Sequence, residues 1–226
     1  MIPLRDRNPS GVFPIVTLTL IAANVLVFLY EVQLGPSVVS FLKRYALVPA
    51  EVTGSLRYGA VNLSDTVAPF FTSMFLHGGW MHLITNMWFL WIFGDNVEDT
   101  LGAFRYLLFY FLCGFGAALT QFALQPDSTL PMLGASGAIA GVLGAYAVLF
   151  PGARVVTLVP IFFFLQIIEL PALILLGYWF LLQILSGSLD AMSPMRGGGT
   201  AWWAHIGGFV SGIFLLLFMR PRKVTI

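Results

Sequence analysis

The stretch SGAIAGVLGAYAVLF, residues 136–150, contains no charged residue and is built almost entirely from small and apolar side chains. Gly137 and Gly141 stand four residues apart, a spacing that lets two membrane helices approach closely. The stretch therefore predicts a membrane helix whose glycine face packs against a neighbouring helix. The fold of the whole chain depends on how many similar segments accompany it.

The rest of the 226-residue chain has the same apolar character. Hydrophobic residues make up 58% of it and charged residues 9%, whereas an average soluble domain carries roughly 25% charged residues. Too few charges remain to cover a water-facing surface, which excludes an ordinary cytosolic enzyme. The net charge of +1, without a basic patch, argues against nucleic acid as a partner.

Six apolar segments are candidates for membrane helices, which need about 20 residues each. They cover about residues 15–30, 80–97, 104–124, 136–150, 165–185 and 202–219. We therefore expect an all-α, polytopic membrane protein in which residues 1–226 form a single six-helix domain. Glu169 and Pro171 interrupt the fifth segment, so either this segment and the loop 186–203 form a gate, or the two residues only mark a kinked helix start.

The distribution of Lys and Arg sets the predicted orientation. With a cytoplasmic N-terminus, the inside residues are Arg5, Arg7, Arg105, Arg154, Arg220, Arg222 and Lys223. The outside residues are Lys43, Arg44, Arg57 and Arg196. We expect a multi-pass integral membrane protein with both termini in the cytoplasm, in a bacterial inner or cell membrane.

Strongly polar side chains within the predicted spans are costly and ask for a reason. Such side chains lie near the starts of the second, fourth and sixth spans: His82, Asn86, Ser136 and His205. These three spans run in the same direction through the membrane, from outside to inside. The four side chains should therefore share one depth, a little below the outer surface.

The sixth span repeats the small-residue spacing of the fourth. Ala204, Gly208 and Gly212 stand four residues apart, so the fourth and sixth helices are expected to touch along faces of small residues. His205 projects from that face and should be able to reach Ser136.

A serine hydroxyl becomes a good nucleophile when a histidine within hydrogen-bond reach takes its proton. None of the 10 acidic residues falls in the predicted layer of Ser136 and His205, so the pattern predicts a Ser–His dyad without a carboxylate. An oxyanion could be stabilised by the Ser136 backbone N–H, at a helix N-terminus, together with His82 and Asn86.

Gly134 and Gly137 lie on either side of Ser136 in the sequence. Gly134 and Gly137 would let backbone and substrate pass close to the serine. A purely structural alternative is that the Ser136 hydroxyl hydrogen-bonds to a carbonyl of its own helix, while His82 and Asn86 only form hydrogen bonds between helices. A His-lined transporter is a second alternative, but no acid lies at the depth of the histidines to support a metal. We therefore expect no metal and no cofactor.

Three segments resemble the signature motifs of the rhomboid family of intramembrane serine proteases. They are HGGWMHLITNM (77–87), GASGAIAG (134–141) and AHIGGFVSG (204–212). Their order and spacing match, and the resemblance covers about residues 10–220. It implies a six-helix core in which Ser136 is the nucleophile and His205 the base, with His82 and Asn86 at the oxyanion.

The resemblance implies further roles. GDNVEDTLG (94–102) is similar to the end of the family's second helix, where Glu98 would make structural hydrogen bonds, and His77 matches a histidine with a structural role in the loop. Ala140 stands where some members carry a tyrosine that stacks on the catalytic histidine, which leaves open what orients His205. The implied partners are single-span membrane proteins, cut within the lipid bilayer. A proteolytically inactive relative that binds membrane helices remains an alternative.

Overall fold

Helices make up most of the computed structural model, which describes residues 1–161, 164–192 and 200–219. The helices are α1 (Ile15–Gln33), α2 (Val38–Tyr45), α3 (Pro49–Arg57), α4 (Pro69–Thr72), α5 (Trp80–Leu101), α6 (Ala103–Leu124), α7 (Ser136–Leu149), α8 (Ala172–Met192) and α9 (Trp202–Leu216). The strands are β1 (Ile2–Asp6), β2 (Arg154–Ile161) and β3 (Phe164–Pro171). Four basic residues that entered the predicted orientation lie outside the described residues: Arg196, Arg220, Arg222 and Lys223.

The long helices follow the apolar segments of the sequence. The segments that begin near residues 15, 80, 104, 136 and 202 are helical, as α1, α5, α6, α7 and α9. By length and composition, α1, α6 and α8 could each cross a membrane, while α7 and α9 are apolar but shorter. The protein therefore has the character of an integral membrane protein.

The fifth segment departs from the prediction of an all-α fold. Residues 164–171 form strand β3, and helix α8 begins only at Ala172, so the predicted helix over 165–185 is displaced toward the C-terminus. Strand β2, with which β3 pairs, is rich in β-branched side chains, which favour a strand. An apolar run of this length does not by itself distinguish a strand from a helix. Pro171, which lacks a backbone N–H, closes the strand just before the helix.

The sheet is antiparallel, with the order β1-β2-β3. Glu169 and Pro171 therefore lie in a strand, not in a kinked helix, and Glu169 forms an ion pair with Arg7 at 2.6 Å. The predicted mobile loop is also shorter than expected, because residues 186–192 belong to α8. Residues 193–199 of that loop lie outside the described part of the chain.

Glu98 joins the start of α1 to the second half of α5. Its buried carboxylate accepts hydrogen bonds from the backbone N–H groups of Val16 and Thr17 and from the Thr17 hydroxyl, each at 2.8 Å. The first N–H groups of a helix have no carbonyl partner within the helix, and a negative charge there is favourable. The structural hydrogen-bonding role expected for Glu98 is confirmed.

Helix α7 lies at the centre of the bundle, and most of its residues are buried. Its contact with α9 is made by glycines: a Cβ atom added at Gly208 would collide with the Gly137 carbonyl oxygen, and one at Gly212 with the Gly141 carbonyl oxygen. The backbones thus touch without side chains between them, as membrane helices with small residues do. The predicted contact between these helices is confirmed.

Asp6 is the titratable group that links the sheet to the helices. It accepts hydrogen bonds from the Tyr146 hydroxyl at 2.6 Å and from Asn96 Nδ2 at 3.2 Å. Burial raises the pKa of Asp6 to about 6; the Tyr146 hydrogen bond opposes this rise and repulsion from Asp95 adds to it.

The glycine contact leads to a first prediction. Gly212→Ala should lower the free energy of unfolding by about 3 kcal/mol, because the new methyl group meets a backbone oxygen that cannot move aside. Gly177→Ala in α8 is the matched control, since a Cβ there meets nothing within 4 Å. Unfolding of the purified proteins in detergent, followed by circular dichroism, measures both. Equal stability of the two variants would contradict this account of the helix contact.

The raised pKa of Asp6 leads to a second prediction. Between about pH 4 and pH 6 the unfolded chain ionises this carboxyl group while the folded chain keeps its proton, so this group's contribution to stability falls as the pH rises through that range. Asp6→Asn should weaken the loss of stability between pH 4 and pH 7. Exposed Asp127→Asn serves as the control and should keep the wild-type pH dependence. Unfolding midpoints measured at both pH values test this, and parallel curves for wild type and Asp6→Asn would contradict it.

Candidate active site

Ser136 and His205 meet where α7 and α9 begin. Ser136 is the first residue of α7, and His205 lies in the first turn of α9. Because the glycine faces bring these two helices together, Ser136 Oγ lies 2.8 Å from His205 Nε2. This is hydrogen-bond distance for a hydroxyl and an imidazole nitrogen.

On the side away from Ser136, the His205 ring contacts helix α8. His205 Nδ1 lies 2.8 Å from Gln183 Oε1, and the Trp179 ring lies beside the imidazole with centroids 5.9 Å apart. Ala140 cannot stack on the His205 ring, and in its absence Gln183 and Trp179 are the residues of α8 that contact this ring. The sequence signal for Gln183 was its amide within an apolar helix, where a polar side chain is costly.

His82 and Asn86 stand one turn apart on α5 and line the same cavity as Ser136 and His205. The backbone N–H of Gly78 donates to His82 Nδ1 at 3.4 Å, so the ring proton of a neutral His82 is on Nε2. Asn86 Nδ2 is buried and has no hydrogen-bond partner among the described residues. Both side chains therefore offer a donor, the His82 Nε2–H and the Asn86 amide, for which the described residues show no acceptor.

These donors approach the backbone at Gly134, two residues before the serine. A Cβ atom placed on Gly134 would lie 2.7 Å from His82 Nε2 and 3.6 Å from Asn86 Nδ2. The φ angle of +116° at Gly134 is also one that residues with a side chain rarely adopt. Neither Gly134 nor Gly137 lines the cavity; Gly134 lies against the His82 and Asn86 side chains, whereas Gly137 packs against Ala117.

His77 is buried behind His82, with the two ring centroids 5.1 Å apart. The hydrogen bond it makes is through its backbone N–H, which donates to the Glu31 carboxylate at 3.3 Å. Neither of its ring nitrogens has a partner among the described residues. Burial, and in second place the neighbouring His82, lowers the pKa of His77 to about 4, so its ring is neutral near pH 7.

The cavity between α5, α7, α8 and α9 has a volume of about 590 Å³. A hydroxyl paired with an imidazole nitrogen can attack an acyl carbon, and unused donors nearby can stabilise the oxyanion that forms. The described residues contain no group of three or more His, Cys, Asp or Glu side chains placed to hold a metal ion. The chemistry that this arrangement offers is acyl transfer.

A family model, the Rhomboid domain, matches residues 64–222 of the chain. This range contains the serine, both histidines of the cavity, the asparagine and the glutamine described above. The chain belongs to the rhomboid family. The match covers well over half of the chain, from the end of the first loop to the last helix.

Several curated relatives of this rhomboid are similar over shorter or longer stretches. RHOMBOID-like protein 6, mitochondrial, from Arabidopsis thaliana is 27% identical over 92% of this chain and 70% of its own length. Rhomboid protein 1, mitochondrial, from Saccharomyces cerevisiae is 30% identical over 62% of this chain and 38% of its own length. Rhomboid protease GluP from Bacillus subtilis is 42% identical over 33% of this chain and 14% of its own length. Apart from the first of these, the chain matches well under half of the relative.

The geometry around Gly134 leads to a third prediction for this rhomboid. Gly134→Ala should slow the labelling of Ser136 by a fluorophosphonate at least about tenfold, because the new methyl group displaces the His82 ring and a lost oxyanion donor is costly. Gly152→Ala, at a position with open space around it, should label at the wild-type rate. Mass spectrometry of the labelled chain gives both rates, and equal rates would remove His82 from the oxyanion site.

Proposed function

We propose that the chain is an intramembrane serine endopeptidase that cleaves transmembrane-helix substrates with a Ser136–His205 dyad. The observation that carries this proposal is the 2.8 Å contact between Ser136 Oγ and His205 Nε2, beside two side chains with unused donors. Membership of the rhomboid family supports it, since one relative in the family is named a protease.

In the proposed reaction His205 Nε2 accepts the proton of Ser136 while Oγ bonds to the carbonyl carbon of the scissile peptide. The carbonyl oxygen becomes an oxyanion, which accepts hydrogen bonds from the Ser136 backbone N–H, from His82 Nε2 and from Asn86 Nδ2. As the C–N bond breaks, His205 gives the proton to the leaving amine. A water molecule, deprotonated by the same imidazole, then hydrolyses the acyl ester and restores the serine.

We further propose that the six long helices, α1 and α5 to α9, form the membrane-embedded bundle, with the site below the outer surface of the membrane. Helix α7 has 14 residues and rises about 21 Å, which is less than the roughly 30 Å of the hydrocarbon core. A helix of that length does not reach both surfaces. Ser136, its first residue, would then lie within the membrane, and the cavity would bring water to it.

The orientation belongs to the same proposal. Arg5, Arg7 and Arg154 all lie at the sheet, at the opposite end of α7 from Ser136. The positive-inside rule then puts this end, and with it both termini, in the cytoplasm. The bacterial inner or cell membrane has the Bacillus relative in its favour, whereas the Arabidopsis and yeast relatives carry mitochondrial names.

Single-span membrane proteins are the substrates that suit such a site. In a regular helix each carbonyl oxygen accepts a hydrogen bond from the N–H four residues further along the chain. The helix must therefore unwind before a serine can attack one of its peptide bonds. The cavity is lined by the nucleophile and has room for the water that hydrolysis needs, whereas the hydrocarbon core of the bilayer contains no water. The proposed substrate therefore enters from the bilayer and exposes its scissile bond in the cavity.

The decisive experiment uses the purified chain in liposomes with a panel of single-span membrane proteins. Wild type should cleave within or near a span, and Ser136→Ala and His205→Ala should each reduce the rate by at least about a thousandfold. Ser64→Ala, at an exposed serine of the first loop, is the matched control and should cleave like wild type. Circular dichroism checks that each variant is folded.

The same experiment separates the proposal from its alternatives. Cleavage that depends on Ser136 and His205, with fluorophosphonate bound at Ser136, supports the protease. A wild-type chain that neither cleaves nor labels would overturn the proposal and favour a relative that only binds membrane helices. A tightly bound metal in the purified chain would favour the transporter.

A further inference from the structure

Gln183 is a buried amide in the middle of α8, with 6% of its surface exposed. Its carboxamide has two partners: His205 Nδ1 lies 2.8 Å from Oε1, and Nε2 donates to the Trp179 backbone carbonyl at 3.2 Å. An uncharged amide is much less costly to bury in an apolar helix than a carboxylate would be. Both the oxygen and the nitrogen of this amide therefore have a hydrogen-bond partner.

These two bonds fix which way the amide points. If the amide were turned round, its oxygen would face the Trp179 carbonyl oxygen, and two acceptors would oppose each other. The bond to Trp179 therefore assigns the oxygen of Gln183 to the His205 side. A carbonyl oxygen can only accept a hydrogen bond, so His205 Nδ1 must carry a proton.

The position of this proton decides the role of the other ring nitrogen. A neutral imidazole carries one proton, so a proton on Nδ1 leaves a lone pair on Nε2. Nε2 is the atom that lies 2.8 Å from Ser136 Oγ. The ring is then in the one tautomer that can accept the serine proton.

We propose that Gln183 is a positioning residue that holds His205 in the tautomer with a proton on Nδ1 and a free Nε2 facing Ser136. The inference rests on the proposed protease function. Gln183 does this from α8, a helix that carries neither member of the dyad, and it does so without a charge. His82, which lines the same cavity from α5, is the titratable side chain that shares the cavity with His205 among the described residues.

Two substitutions at position 183 separate this role from simple packing. Gln183→Met keeps the length of the side chain and removes the acceptor, so kcat should fall about tenfold, the worth of one hydrogen bond, with KM unchanged. Gln183→Glu restores an acceptor for Nδ1–H and should recover kcat. Its negative charge would also stabilise the imidazolium, so the acidic limb of the kcat/KM profile should move to higher pH. Gln166→Met, at an exposed glutamine of β3, is the matched control.

A second measurement reads the tautomer without using activity. Nitrogen NMR of a chain with isotope-labelled histidine distinguishes a protonated Nδ1 from a protonated Nε2, and the His205 signals are those lost in His205→Ala. Wild type should show His205 protonated on Nδ1, and Gln183→Met should shift the population toward the other tautomer.

The outcomes distinguish this inference from the function on which it rests. If Gln183→Met keeps the wild-type kcat, or if wild type carries the His205 proton on Nε2, the role of Gln183 is overturned while Ser136-dependent cleavage still stands. If wild type neither cleaves nor labels, the protease proposal fails, and the NMR spectrum still decides the tautomer.

Discussion

The contact between the α7 and α9 backbones is the constraint on which the rest of the structure depends. Gly208 and Gly212 lie so close to the carbonyl groups of α7 that there is no room for a side chain. In lipid, where burying apolar surface gives helices little reason to associate, such close packing supplies the attraction. The same contact places the first turns of both helices side by side, which brings Ser136 within hydrogen-bond distance of His205.

The sequence predicts this part of the molecule well because one pattern serves both fold and site. Small residues four apart mark the helix faces that touch, and the polar residues near the starts of α5, α7 and α9 stand out against an apolar background. The cost of a polar side chain in lipid makes each of them informative. Ser136, His205, His82 and Asn86 all line one cavity.

The sequence is less informative where apolar residues serve two purposes. Between Arg154 and Pro171 the chain is as apolar as a membrane helix, yet it forms a hairpin whose register pairs Arg154 with Pro171. The other edge of β2 pairs with β1, where Ile2 lies opposite Leu158, and a local sequence pattern does not contain a contact between such distant residues. Gln183 was missed for a related reason: its importance comes from a neighbour 22 positions away on another helix.

The chain just before β2 holds one end of α8. The Ala172 and Leu173 backbone N–H groups, at the start of α8, donate hydrogen bonds to the carbonyl groups of Ala153 and Pro151. Gln183 stands about 16 Å along the helix axis from that end, so a tilt of α8 by about 10° would displace its amide by about 3 Å. That displacement matches the length of its bond to His205. A displacement of that size would take the acceptor away from His205 Nδ1, so in the proposed protease the placement of α8 and the tautomer of His205 are coupled.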